Sequence, residues 1–150
     1  MPPLTDEIRV ASFAELDAAT LYALLRLRQD VFVVEQAAAY ADIDGRDTEP
    51  ATRHVWVDRG GTPVAYLRVL DEPGGAARVG RVVVARAARG DGLARRLMEQ
   101  ALTIVGARPS VLAAQAHLAG FYASFGYAVS GPEFLEDGIP HVPMSRPAAP

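Results

Sequence analysis

The chain contains no cysteine and no lysine in 150 residues. Without cysteine there is no disulfide, no thiolate nucleophile and no cysteine metal site, and a cytoplasmic location is expected. Without lysine there is no Walker-type phosphate loop, which needs that side chain, and no lysine Schiff base. No stretch approaches the roughly 18 apolar residues of a membrane span. The opening MPPLTDEIRV has neither the basic region nor the apolar run of a signal peptide. The three histidines stand far apart, with no HxxxH or HExxH spacing, so no metal is expected. A GxSxG nucleophile motif is missing too, which leaves serine hydrolysis without support. The net charge of −3 gives no reason to expect nucleic acid.

What is present is a chain half apolar in composition and long enough to bury a core, read as one domain over 1–150. Only the last residues, about 147–150, are expected to be loose. All 15 basic residues are arginine, and six of them crowd into 78–96, where even spacing would place about two. The segment 35–49 is the reverse: Glu35, Asp42, Asp44, Asp47 and Glu49 against Arg46 alone. One region should attract anions and the other cations.

The pattern of elements reads as follows. EIRVASF alternates like a strand, and Ser12 with Glu15 has capping-box spacing ahead of a helix. Leu21, Leu24, Leu25 and Phe32 recur at helical intervals; the sequence does not settle whether that helix continues through Arg28 to Val34. A polar loop covers about 36 to 52. HVWVDRGGTPVAYLRVLDE is a hairpin around Gly60 and Gly61. A second turn at Pro73–Gly75 leads to a strand carrying Val82, Val83 and Val84. Leu93, Leu97, Ala101 and Val105 make one face of a helix. VLAAQ is a short strand, HLAGFYASF a short helix ended by Gly126, and two strands around EFLEDGIP finish the chain. The valine strand and VLAAQ are separated by a helix, so they are expected to be parallel, joined by a right-handed crossover. The fold class is α/β (α+β): a mixed, mostly antiparallel central sheet of about six to seven strands, with helices on both faces.

ARGDGLARRL, residues 88–97, stands where the valine strand hands over to that helix. The first turn of a helix has unpaired N–H groups and the positive end of a dipole. Glycine lets a ligand approach the backbone there. A strand, a Gly-x-Gly turn and a helix together make an anion site. The spacing fails the dinucleotide pattern GxGxxG, because the third glycine would fall at Arg95. The surrounding arginines suit a ligand with several phosphates.

Arg89-Gly90-Asp91-Gly92-Leu93-Ala94 resembles the R/Q-x-x-G-x-G/A signature of the GNAT superfamily of N-acetyltransferases. AQAHLAGFYASFGY is similar to a second region of that superfamily, and LYALLRLRQDVFVVEQ, YADIDGRD and EDGIPH resemble its bacterial ElaA-type branch. The resemblance implies acetyl-CoA as co-substrate. Backbone amides of Arg89, Gly90, Asp91, Gly92, Leu93, Ala94 and Arg95 would hold the pyrophosphate. Val82, Val83 and Val84 would offer an edge to the pantetheine and an N–H to the thioester carbonyl. Gln115 stands where many members have asparagine. Tyr122 would lie near the coenzyme sulfur as general acid. Asp91, an acid inside the phosphate turn, departs from expectation, and its side chain should point outward.

The reaction implied is transfer of an acetyl group to a primary amine by direct attack. The acceptor is a small amine or a peptide or protein amine, steered by the acidic segment 35–49. Such an amine is protonated at neutral pH, so a base must take its proton. Glu35 is the first candidate, since burial at the end of an apolar helix would raise its pKa; His54, His117 and His141 are the others. Two alternatives remain: a non-catalytic acyl-CoA-binding sensor, and an acyl transfer related to acyl-homoserine-lactone synthesis, suggested by RQDVFVVEQ. No membrane partner is expected, and a homodimer is among the assemblies allowed.

Overall fold

In the computed structural model, which describes residues 5–150, the strands form one eight-stranded sheet. Met1 to Leu4, the start of the stretch read for a signal peptide, lie outside the described residues. The elements are β1 (Asp6–Ala11), α1 (Ala18–Arg28), a π-helical turn (Gln29–Glu35), β2 (Arg53–Arg59), β3 (Thr62–Asp71), β4 (Ala77–Val84), α2 (Leu93–Val105), β5 (Ser110–Gln115), α3 (Ala119–Ala123), β6 (Ala128–Val129), β7 (Phe134–Glu136) and β8 (Ile139–Arg146). Strands run in the order β1-β2-β3-β4-β5-β8-β6, with β7 paired to β8. All pairs are antiparallel except β4 with β5. The expected mixed, mostly antiparallel sheet and its parallel pair are there; the two-residue β6 is an addition too short to carry a sequence signal.

Alternation in the strands explains the two layers. Trp56, Tyr66 and Val83 face α1 and pack with Leu24, Leu27 and Val31. Their neighbours Val55, Val57, Ala65 and Leu67 face the opposite way, onto Leu93, Leu97, Met98, Ala101 and Val105 of α2. Each fully buried leucine or methionine on that face contributes about 1.5–3 kcal/mol by leaving water. The expected apolar face of α2 is therefore its core face.

The capping box at Ser12 and Glu15 forms, but it closes a single 3₁₀ turn. The N-cap of α1 is Asp17, whose carboxylate accepts from the Thr20 N–H at 2.7 Å. Beyond Arg28 the helix widens. Gln36 N–H reaches Val31 C=O at 3.0 Å, a five-residue span, and such turns often mark functional sites. The tail 147–150 has no regular structure, and the Ala149 N–H donates to the Ala107 carbonyl at 3.0 Å.

Candidate functional site

Two features of β4 create a cleft in the sheet. Pairing with β5 occurs only at Ala77 with Ser110 and Arg78 with Val111; beyond that the strands part. On the other side β4 carries a bulge against β3, between the pairs Arg68–Gly80 and Tyr66–Val83. Arg81 sits in the bulge with φ of 55°, a conformation that costs a non-glycine residue on the order of 1–3 kcal/mol. Its guanidinium is held by Asp42 at 2.8 Å, by Asp44 and by the face of Tyr40. Bulges of this kind bend a strand and occur next to active sites. The consequence is an edge of β4, through Val82 to Val84, that β5 does not cover.

At the end of that edge the chain turns at Gly90 and Gly92, with φ of 90° and 75°. A Cβ at either would meet no protein atom within 4 Å. The glycines therefore answer to backbone conformation and leave the space in front of the turn open. The first turn of α2 has no side-chain cap and no acid, in contrast to the capped α1. Its N–H groups are free for an anion. Asp91 is turned aside as expected: its carboxylate meets Arg59 at 3.2 Å, and Arg59 also grips Asp6.

The arginine excess divides. Arg78 and Arg81 belong to the other end of the cleft, with Glu72 and with Asp42 and Asp44. Arg95 lies over the rings of Phe121 and Phe125, at 5.8 and 4.9 Å. Arg89 folds back onto Val84 C=O and makes a two-pronged pair with Glu35, at 2.7 and 2.9 Å. This corrects the expectation for Glu35. The residue is exposed, and the Arg89 guanidinium holds its carboxyl below the usual glutamate range. A pKa lowered in this way is the opposite of what a general base needs.

Where β4 and β5 part, a cavity of about 420 Å³ opens, lined by Val82, Gln115, Tyr122 and His141 and also by Arg68, Arg81 and Tyr40. Tyr122 comes from α3, packed edge-on against Phe121. Burial pushes its hydroxyl up to about 12. The group is thus fully protonated at neutral pH. Gln115 closes the end of β5, opposite His141 of β8, and reaches Gln36 at 3.4 Å. Of the other histidines, His54 is buried, with Nδ1 on the Tyr66 hydroxyl at 2.7 Å and Nε2 on Asp47 C=O at 2.9 Å. Burial lowers its pKa, and it acts as a strut. His117 is exposed. The cavity-lining Tyr40, Arg46 and Arg68 were not flagged by sequence: Arg68 reads as an ordinary strand position until its burial is seen.

The acidic segment also departs from expectation. Asp42 and Asp47 are buried, not open to a cationic acceptor. Arg28 bonds both, at 2.9 and 2.8 Å, and Arg68 bonds Asp47 at 2.9 Å and Asp44. Tyr40 donates to Asp42 at 2.6 Å. Three arginines thus neutralise three aspartates, and the loop from 36 to 52 is stapled to β3, β4 and α1 rather than displayed to a cation. Asp47→Ala would leave two buried guanidiniums short of a partner. It should lower stability by about 3–5 kcal/mol, read as a fall in the urea midpoint at unchanged slope. The network also sets acid sensitivity. Burial raises the pKa of Asp44 and Asp47, but hydrogen bonds from Arg68 and Arg28 outweigh it and hold both below the usual aspartate range. The stability they contribute is complete above the unfolded aspartate pKa of about 3.9 and is lost as pH falls through the lower folded values. Denaturant midpoints should therefore start to drop below about pH 5 and go on dropping as pH falls below the usual aspartate range; an unchanged midpoint would contradict the ion-pair network.

A sheet opened between two parallel strands, a bare helix N-terminus at its mouth and a buried tyrosine within suit an acyltransferase that draws on an acyl-CoA donor. The chain belongs to the acetyltransferase (GNAT) domain family, whose model matches residues 17–147. It is 45% identical over 150 residues to the UPF0039 protein Rv2851c of Mycobacterium tuberculosis, covering 97% of this chain and 96% of that one. A crystal structure of an acyl-CoA N-acyltransferase from Pseudomonas aeruginosa superposes with a TM-score of 0.89 at 42% identity, over 93% of this chain and 99% of that one. The crystal structure of Escherichia coli ElaA gives a TM-score of 0.89 at 39% identity, over 95% and 99%.

Proposed function

We propose that the protein transfers an acetyl group from acetyl-CoA to a primary amine by direct attack, with Tyr122 protonating the departing thiolate. The observation that carries this reading is Tyr122 itself, a buried, protonated hydroxyl in the wall of the cavity formed where β4 and β5 part. An uncharged acid is what a leaving thiolate needs. A coenzyme sensor has no use for one.

The open backbone turn from Arg89 to Arg95, with its N–H groups at Gly90, Asp91, Gly92, Leu93 and Ala94, takes the pyrophosphate. The edge at Val82, Val83 and Val84 pairs with the pantetheine amides, and one of its N–H groups polarises the thioester carbonyl as charge develops. Gln115 faces the same space from β5. The amine enters from the side of the cavity lined by Tyr40, Arg68 and His141.

The test is release of free coenzyme thiol from acetyl-CoA across a panel of small amines and peptides. Turnover with at least one amine, absent without it, is expected. Tight coenzyme binding with no turnover on any acceptor would overturn the transferase reading in favour of a sensor.

A further inference from the structure

The geometry points to His141 as the group that takes the proton from the amine, a role that rests on the transferase reading above. His141 comes from β8, opposite Gln115 of β5, and its side chain lines the same cavity as Tyr122. It is buried and stacked on Phe134, with ring centroids 5.8 Å apart. Its Nδ1 lies 2.7 Å from the Ile139 carbonyl oxygen. A carbonyl only accepts, so Nδ1 carries the hydrogen and Nε2 holds the lone pair. The ring is thus fixed in orientation and tautomer, the arrangement by which a neighbouring acceptor prepares an imidazole to receive a proton. The carboxylate of Glu136, from β7, stands 3.5 Å from Nε2.

No other candidate has this disposition. Glu35 is tied to Arg89 outside the cavity lining, His54 has both nitrogens engaged and His117 is exposed. The charged and titratable groups that share the cavity with His141 are Glu136 and Asp137 from the β7–β8 hairpin, Tyr122 from α3, Tyr40, Asp44 and Arg46 from the loop, Arg68 from β3, and Arg78 and Arg81 from β4. The arginines of this set are each engaged by Asp42, Asp44, Asp47, Glu49 or Glu72.

The step balances as follows. One proton of the ammonium passes to Nε2, directly or through one water, and on to solvent. The freed nitrogen lone pair forms the C–N bond to the thioester carbonyl carbon, and the C–S bond breaks as the adduct collapses. The thiolate takes the Tyr122 proton, and the second proton shed by the amine nitrogen restores the tyrosine. The products are the amide, the coenzyme thiol and one proton.

The test compares the parent protein with His141→Asn, whose amide N–H can still reach the Ile139 carbonyl but offers no basic nitrogen. In His141→Asn, kcat/KM for the amine should fall by about 10² to 10³ at neutral pH. Its acid limb should vanish, while acetyl-CoA still raises the melting temperature as in the parent. An acid limb unchanged in His141→Asn, with kcat/KM within about threefold of the parent, would overturn the assignment and leave the transferase reading standing. A parent protein without turnover on any amine would overturn both.

Discussion

Replacing Tyr122 by phenylalanine should lower kcat by roughly 10 to 10³ and leave coenzyme affinity within about 1 kcal/mol. The ring stays, so its packing against Phe121 is kept. What is lost is one oxygen in the cavity wall. The shape of the pH profile is informative as well. Burial holds the tyrosine protonated up to about 12, so the parent should show no alkaline limb from this group in the usual assay range. The Phe variant should run parallel to and below the parent from neutrality upward. A rate equal to the parent's would remove Tyr122 from the mechanism. A variant that lost coenzyme binding along with rate would make the tyrosine a packing residue of the cleft.

Gly92→Val should abolish coenzyme binding. The position has φ of 75° and opens the first turn of α2. A β-branched residue is strained there and puts two methyl groups where the pyrophosphate must meet the backbone. For the parent, saturation to about 100 times Kd stabilises by about 2.7 kcal/mol, a rise of roughly 5–10 °C in a domain of this size. The variant will start from a lower melting temperature because of strain, so the comparison is the increment on adding acetyl-CoA. That increment should be near zero. A full increment would show that the phosphates lie elsewhere.

Much of this site could be read from the order of residues because it is built from local backbone signals. Gly90 and Gly92 announce a turn with positive φ, the apolar spacing from Leu93 to Val105 announces the helix behind it, and the valine run announces the strand before it. Tyr122 was found through the resemblance of its segment to a family motif, not through any property of a lone tyrosine. The features that were not legible depend on long-range contacts. The charges of Asp42, Asp44 and Asp47 read as a segment that attracts cations, because nothing local shows that Arg28, Arg68 and Arg81 converge on them from three other elements. Glu35 follows an apolar helix and reads as a buried base until Arg89, 54 residues away, is seen beside it. The bulge at Arg81 is hinted at only by Gly80 beside it, a lone glycine within the strand. The partial pairing of β4 with β5, which opens the cleft, joins positions more than 30 residues apart and leaves no local signal.

The central claim is that acyl-CoA lies in the opening between β4 and β5 with its phosphates on the turn before α2. Amide hydrogen exchange with and without acetyl-CoA tests it most directly. The account predicts slowed exchange at Val82 to Val84 and at Gly90 to Ala94 together, with the β1–β2 edge unchanged. Protection confined to other elements, or none at saturating coenzyme, would contradict it.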